Sequence, residues 1–270
     1  MQIYTKLKYY LQSVLKIING FSNPFSVLFF FFQKPHHLDA PSHQVQLKKT
    51  GLKFQVRTPM DVWSIKETFL DDFYRFARYA GSKNGTIIDI GAGIGEFAIQ
   101  AAAACPDCTI IGFEPFHESY TLFHQNIALN GLKNINPVEA AVTSFSGTMV
   151  LDISSGNPLQ YRIQTGSPAG HTKGIKSVGL IDFMNAQGIQ NCDFLKLDCE
   201  GGEYDILLNL SAQDMGRFSQ IVMEYHDSLT AHTHQELEDH LKSSSFRVEV
   251  VPNQVHSDLG YIYAQNDKNQ

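Results

Sequence analysis

Short apolar runs alternate with helical stripes along the chain from residue 86 onward. "TIIDI" (86–90) predicts a buried strand, and "GEFAIQAAAA" (95–104) a helix opened by glycines. "TIIGFEP" (109–115) is a second strand, stopped by Pro115. "HESYTLFHQNIALNG" (117–131) is a second helix, with Gly131 at its end. "INPVEAAV" (135–142) and "CDFLKLD" (192–198) are the third and fourth strands, and "EYDILLNL" (203–210) the helix after them. "QIVMEYH" (220–226) is a fifth strand and "HTHQELEDHLKSS" (232–244) a further helix. "FRVEVV" (246–251) and "GYIYAQ" (260–265) complete a set of seven strands. Strands that alternate with helices imply an α/β fold, an open and mostly parallel sheet covered on both faces. The last two strands are joined without a helix, so an antiparallel C-terminal hairpin is expected there.

Residues 143–190 break this pattern. They are rich in Gly, Ser, Pro and Asn, with one strand expected at "GTMVLDI" (147–153). An insertion beside a sheet edge often covers a site, and "NPLQYRIQTGSPAGHTKG" (157–174) is the candidate substrate loop. The domain itself is expected over 86–265, preceded by a linker and a lead-in helix over 39–85.

The first 38 residues read differently. Ile3, Leu7, Leu11, Val14, Leu15 and Ile18 fall at helical spacing, and Gly20 and Pro24 end that helix. The run "PFSVLFFFF" (24–32) that follows is too short for a bilayer, which needs about 20 apolar residues. No small-residue cleavage site follows it either. Either the arm docks on the body or a second subunit, or it lies on a membrane surface as a basic, aromatic anchor. Docking is the reading adopted, with peripheral membrane contact through 1–38 as the alternative.

Charge sharpens that division. The arm holds Lys6, Lys8, Lys16 and Lys34 and no acid, a net +4. The whole chain of 270 residues carries -6, so the remainder carries -10. An acidic body argues against nucleic acid as a partner. The four cysteines form no disulfide framework, and the C-x-x-C of "CPDC" (105–108) has no second pair for zinc. Reduced thiols and a cytoplasmic location are expected.

Candidate chemistry lies where strands end. "IIDIGAGIGEF" places Gly91, Gly93 and Gly95 between a strand and a helix, where glycine permits a tight turn and close approach of a ligand. The spacing is G-x-G-x-G, whereas a nicotinamide-dinucleotide domain uses G-x-G-x-x-G. Asp89 precedes the turn and suits a ligand with a cationic end. S-adenosylmethionine has an ammonium and a sulfonium and no phosphate. Glu114, 19 residues after Gly95, ends the second strand and can accept both hydroxyls of a ribose.

In "FLKLDCEGGEYDIL" (194–207), Lys196, Asp198 and Glu200 alternate along an extended chain and would share a side. In an open α/β sheet the ligand lies outside the carboxyl ends of the strands. Asp198, Glu200 and His226 are therefore candidates for the base that takes a proton from an acceptor hydroxyl, with His171 in the insertion as a fourth. Lys196 would balance the carboxylates. Asp198, Glu200, Glu224 and His226 could also gather a hard divalent ion, but the carboxylates can equally pair with Lys196, and no metal is expected. His232, His234 and His240 are read as solvated.

Taken together and in order, "IDIGAGIGEF", "GFEP", "HQNIALNG", "VEAAVTSFSG", "FLKLDCEGGEYDIL" and "MEYH" resemble the FkbM family of S-adenosylmethionine-dependent methyltransferases. The similarity covers residues 86–226, with a looser match at "RTPMDVWSIKETF" (57–69), and leaves out the basic arm. One departure is Gly93, where the family often has Asn. The resemblance implies a Rossmann-like class I methyltransferase domain with S-adenosyl-L-methionine as cofactor. It implies that Asp89, Gly91, Gly93 and Gly95 line the methionine end, Glu114 holds the ribose and Glu139 lies near the adenine. It also implies O-methylation of a hydroxyl on a sugar, glycan or natural-product scaffold. The rival readings are a NAD-dependent oxidoreductase and a non-catalytic glycan- or membrane-associated binding module.

Overall fold

The computed structural model describes residues 2–31, 42–76, 84–152, 162–164 and 172–267. The arm forms α1 (Gln2–Gly20) and α2 (Pro24–Phe31). A hairpin follows, β1 (His43–Gln46) and β2 (Lys53–Val56), with Val45 opposite Phe54. It corrects the expectation of a bare linker. Its signal was the alternation of Val45 with Leu47 and Phe54 with Val56, all four buried. α3 (Pro59–Lys66) starts with a capping box between Thr58 and Asp61 and continues into a π-turn over Glu67–Asp71.

The sheet then builds as β3 (Thr86–Ile90), α4 (Glu96–Ala104), β4 (Thr109–Phe113), α5 (His117–Leu129) and β5 (Ile135–Val138). β5 is an edge strand, which tolerates Pro137. The predicted third strand is therefore split. β6 (Ala141–Thr143) leaves the main sheet and joins β7 (Gly147–Asp152), β8 (Arg162–Gln164) and β9 (Thr172–Gly179) in a small second sheet of order β6-β9-β7-β8. Helix α6 (Leu180–Ala186) follows. The described part of the insertion thus forms strands and a helix rather than irregular chain. Ile175, Ser177 and Gly179 alternate inward on β9, and Leu180 and Met184 share one buried face of α6. Much of the candidate substrate loop, His171 included, lies outside the described residues.

The chain returns through β10 (Cys192–Leu197), α7 (Gly202–Leu208), α8 (Ala212–Met215), β11 (Phe218–His226), α9 (His234–Ser243), β12 (Phe246–Pro252) and β13 (Leu259–Asn266). Among the described residues the main sheet has seven strands in the order β12-β13-β11-β10-β3-β4-β5. β11, β10, β3, β4 and β5 run parallel, and β13 pairs antiparallel with both β11 and β12. The predicted class I α/β architecture and its C-terminal hairpin are observed. Successive strand residues point to opposite layers. Ile87, Ile110, Phe194 and Val222 enter one core, while Ile88, Ile111, Leu195 and Ile221 enter the other.

The arm belongs to the first of these cores. Ile17, Phe21, Val27 and Phe30 are buried in the same cluster as Ile87 and Phe97. Polar ties reinforce the docking: Lys16 pairs with Asp71, and Lys66 donates to the Tyr9 hydroxyl at 3.1 Å while pairing with Asp71 at 2.6 Å. Leu7, Leu11 and Leu15 nevertheless face outward, each more than half exposed, and Phe25 is 80% exposed. No helix among the described residues is long and apolar enough to cross a membrane.

Cys105 and Cys108 are joined by a disulfide, which overturns the reading of these two thiols as reduced. After α4 the chain turns back through the Cys108 N–H to Cys105 carbonyl bond, leaving the Cα atoms 5.4 Å apart, within bonding range. Cys192 and Cys199 are free.

Candidate active site

The glycine turn is shaped first by the protein itself. Gly91, Gly93 and Gly95 all have positive φ, the region that glycine enters without strain. A Cβ on Gly91 would fall 1.8 Å from the Asp198 carbonyl oxygen, and one on Gly95 would fall 2.0 Å from the Phe123 ring. Those two glycines therefore admit β10 and α5, not only a ligand. The Asp198 N–H donates to the Ile90 carbonyl at 3.0 Å, so the end of β10 is stitched to the start of the turn.

Asp89 lies beneath the turn and is fully buried. β3 and β10 are in register there, with Lys196 opposite Asp89. The Lys196 ammonium sits 2.9 Å from Asp89 Oδ1 and donates to the Gly91 carbonyl at 2.7 Å. Lys196 is 2% exposed, so it too lies under the rim rather than on it. Burial opposes its charge, but Asp89, Asp198 and Glu96 outweigh burial and hold its pKa above the ordinary lysine value. Burial pushes Asp89 upward, with Lys196 pulling back. Lys196 thus ties β3 to β10 beneath the turn through an ion pair with Asp89 and a hydrogen bond to the Gly91 carbonyl.

Glu114 ends β4 as expected. Its Oε2 accepts the Gly93 N–H and its Oε1 the Phe116 N–H, both at 2.8 Å. Each oxygen keeps a second lone pair, so the carboxylate can still accept a diol. Burial pushes its pKa up to about 8, against the two N–H bonds. Glu139 lies past the end of β5, exposed, with His117 Nδ1 2.8 Å from its carboxylate. A buried diol acceptor beside a glycine turn and the start of α4 fits an adenosyl group.

Beyond the turn, the ends of β10 and β11 carry a second group of charges. Asp198, Glu224 and His226 each offer one ligand atom, and these atoms all lie within 4.8 Å of one another. Glu224 and His226 come together because residues two apart on β11 share a side. The Tyr74 hydroxyl donates to Asp198 Oδ2 at 2.7 Å. Glu200, with φ 52, turns the chain so that its Oε2 stands 3.9 Å from His226 Nε2. Glu203, in the first turn of α7, is fully buried. It accepts the N–H groups of Cys199 and Gly201, and one of its oxygens stands 3.4 Å from His226 Nδ1.

This group crowds three carboxylates around one imidazole. Burial, then Asp198, raises the Glu224 pKa well above the usual range. Burial also pushes Glu67, on the π-turn, up to about 7, against the pull of Lys66 and the Trp63 N–H bond. At His226 burial disfavours the charge, but Glu203 foremost, then Glu224 and Asp198, override it and carry the pKa up to about 10. These carboxylates thus favour the protonated imidazole over the free base. Tyr74, Glu67 and the buried place of Glu203 were missed. Glu224 carried a signal, its two-residue spacing from His226, while Tyr74 and Glu67 come from a segment with no strand periodicity to place them.

A family model described as the methyltransferase FkbM domain matches residues 89–248, more than half of the chain. The chain belongs to the FkbM methyltransferase family. This membership sets aside the NAD-dependent oxidoreductase reading. Among curated relatives, Methyltransferase 1 of Beauveria bassiana is 24% identical over 182 residues, covering 60% of this chain and 72% of that protein. Methyltransferase sdnD of Sordaria araneosa is 24% identical over 189 residues, covering 59% and 72%. The AMB antimetabolite synthetase AmbE of Pseudomonas aeruginosa is 24% identical over 223 residues, 68% of this chain but 10% of that much longer protein. Of solved structures, the FkbM methyltransferase of Methylobacillus flagellatus KT aligns with a TM-score of 0.49 at 12% identity, over 67% of this chain and 43% of that one.

Proposed function

We propose that this FkbM methyltransferase uses S-adenosyl-L-methionine to methylate a hydroxyl oxygen on a sugar, glycan or natural-product scaffold. The observation that carries the reading is the juxtaposition of two acid groups. Glu114 lies at the glycine turn, and Asp198, Glu200, Glu224 and His226 lie at the neighbouring strand ends. The bound cofactor would supply an electrophilic methyl group. Glu114 would hold its ribose hydroxyls, and the N–H groups at the start of α4 would line its path. An acceptor hydroxyl set against Asp198 would find a carboxylate for the proton it must lose. Much of the rate would come from holding that oxygen in line. Lys196, below, would keep the turn and the strand end fixed to each other. The natural-product half of the reading gains support from AmbE, a relative named for the synthesis of an antimetabolite.

The test is transfer of a labelled methyl group from S-adenosylmethionine to glycan extracts and polyhydroxylated natural products. Label in alkali-stable methyl ethers is the expected result. Label confined to amines or thiols would sink the oxygen assignment.

A further inference from the structure

We propose that Asp198, Glu224 and His226 form a binding site for a hard divalent cation of the Mg²⁺ or Mn²⁺ kind, at the carboxyl ends of β10 and β11. The location stands on geometry alone; only the role of the ion rests on the methyltransferase reading above.

Two carboxylates and an imidazole present donor atoms within 4.8 Å of one another. A divalent cation between them would let both carboxylates ionise without mutual repulsion. The nearby lysines are already engaged: Lys196 is held by Asp89 and the Gly91 carbonyl, and Lys66 by Asp71. The Glu224 carboxylate receives no hydrogen bond from any described residue, although it is partly buried.

His226 supplies an independent observation. It is 7% exposed, and its buried Nδ1 has no hydrogen-bond partner among the described residues. That nitrogen looks toward the fully buried Glu203 carboxylate at 3.4 Å, while Nε2 looks the other way, toward Glu200 at 3.9 Å. Metal-bound histidines commonly place a carboxylate behind the ring in this manner, which fixes the tautomer and aims the opposite nitrogen at the ion. Glu203 is itself locked by the N–H groups of Cys199 and Gly201, so the ring's backing is rigid. Carboxylates in the majority, with one imidazole and no thiolate, suit a hard ion. An ion there would take the acceptor hydroxyl as a further ligand and ease the loss of its proton. The sequence alone led to no metal because it treated Lys196 as the partner of these carboxylates, and the structure engages that lysine elsewhere.

The experiment titrates Mn²⁺ into the full chain stripped with EDTA and follows loss of the free-ion electron paramagnetic resonance signal. One equivalent should bind and raise the melting temperature, and EDTA should reverse both. Asp198→Asn, Glu224→Gln and His226→Ala should each weaken binding by at least tenfold. Glu203→Gln, which acts through the ring, should weaken it about 10–100-fold. Glu238→Gln, on the outer face of α9, should change nothing. Folded wild-type protein that binds no Mn²⁺ overturns the proposal, as does uptake indifferent to the first three substitutions. Should a variant fail to fold, the wild-type melting shift and its reversal decide the matter. Calorimetry with S-adenosylhomocysteine on the same samples reports separately on the cofactor. If that ligand fails to bind while Mn²⁺ is held by the three residues, the cofactor reading falls and the metal site stands.

Discussion

Asp89 and Lys196 form one charged group, and Asp198, Glu200, Glu224 and His226 form another only two residues further along β10. The first is fully buried and balanced, one ammonium against one carboxylate and a carbonyl. The second is partly open and gathers three carboxylates around a single histidine. The difference separates charge that holds a fold from charge that awaits a ligand. A balanced buried pair leaves nothing to recruit. An unbalanced group at strand ends costs stability and is retained where something else compensates it.

The largest effect should come from breaking the balanced pair. Lys196→Met leaves Asp89 buried without a counter-charge and should destabilise the fold by about 3–5 kcal/mol. Denaturant unfolding measures it. A variant of wild-type stability would mean the pair is not structural, and the contrast between the two groups would collapse.

Next comes the unbalanced group. Asp198→Asn keeps the size of the side chain and should leave stability unchanged or raised. It should reduce turnover about 10²–10⁴-fold, the range for a lost proton acceptor, with little change in cofactor affinity. Turnover that matches wild type, once an acceptor is identified, would turn attention to the insertion and to His171.

Glu114 gives a smaller effect and a pH dependence. Glu114→Ala should weaken S-adenosylhomocysteine binding by about 1–3 kcal/mol. Because burial raises its pKa to about 8, the folded protein holds a proton there that the unfolded chain has lost. Its contribution to stability is thus full below the ordinary glutamate range and lost as pH rises through about 8. Ligand binding runs the opposite way. The ionised carboxylate accepts the ribose hydroxyls best, so affinity should climb toward pH 8, and Glu114→Gln should flatten that climb. Calorimetry across pH 6–9 checks the sign.

The smallest effect concerns the arm. Leu7, Leu11 and Leu15 remain outward after Ile17 and Phe21 are buried. Leu11→Glu should alter stability by less than about 0.5 kcal/mol, as exposed positions do. If the stripe rests on an anionic membrane, the same change should abolish salt-sensitive flotation with phosphatidylserine liposomes. Flotation equal to wild type would leave docking as the arm's role.

The alternation of "TIIDI", "TIIGF" and "CDFLKL" with helical stripes was enough to read the main sheet, because strands buried on both faces are written as apolar runs. The small sheet was legible only at β7, where a strand was expected at "GTMVLDI". β9 is polar on its outward side and reads as loop, although Ile175 and Ser177 alternate inward. The candidate residues Glu114 and Asp198 were legible as acids at strand ends, but their partners were not. Which charge Lys196 neutralises depends on the register between β3 and β10, a long-range fact with no local trace. Tyr74 reaches Asp198 across 124 positions of chain.

The central claim is that the glycine turn and Glu114 hold an adenosyl cofactor while the unbalanced group beyond them serves the chemistry. Calorimetric titration of S-adenosylhomocysteine into wild type and Asp198→Asn tests it most directly. The account predicts one equivalent bound by both proteins with similar affinity, and no binding of NAD. Folded wild-type protein that binds NAD and not S-adenosylhomocysteine would contradict it.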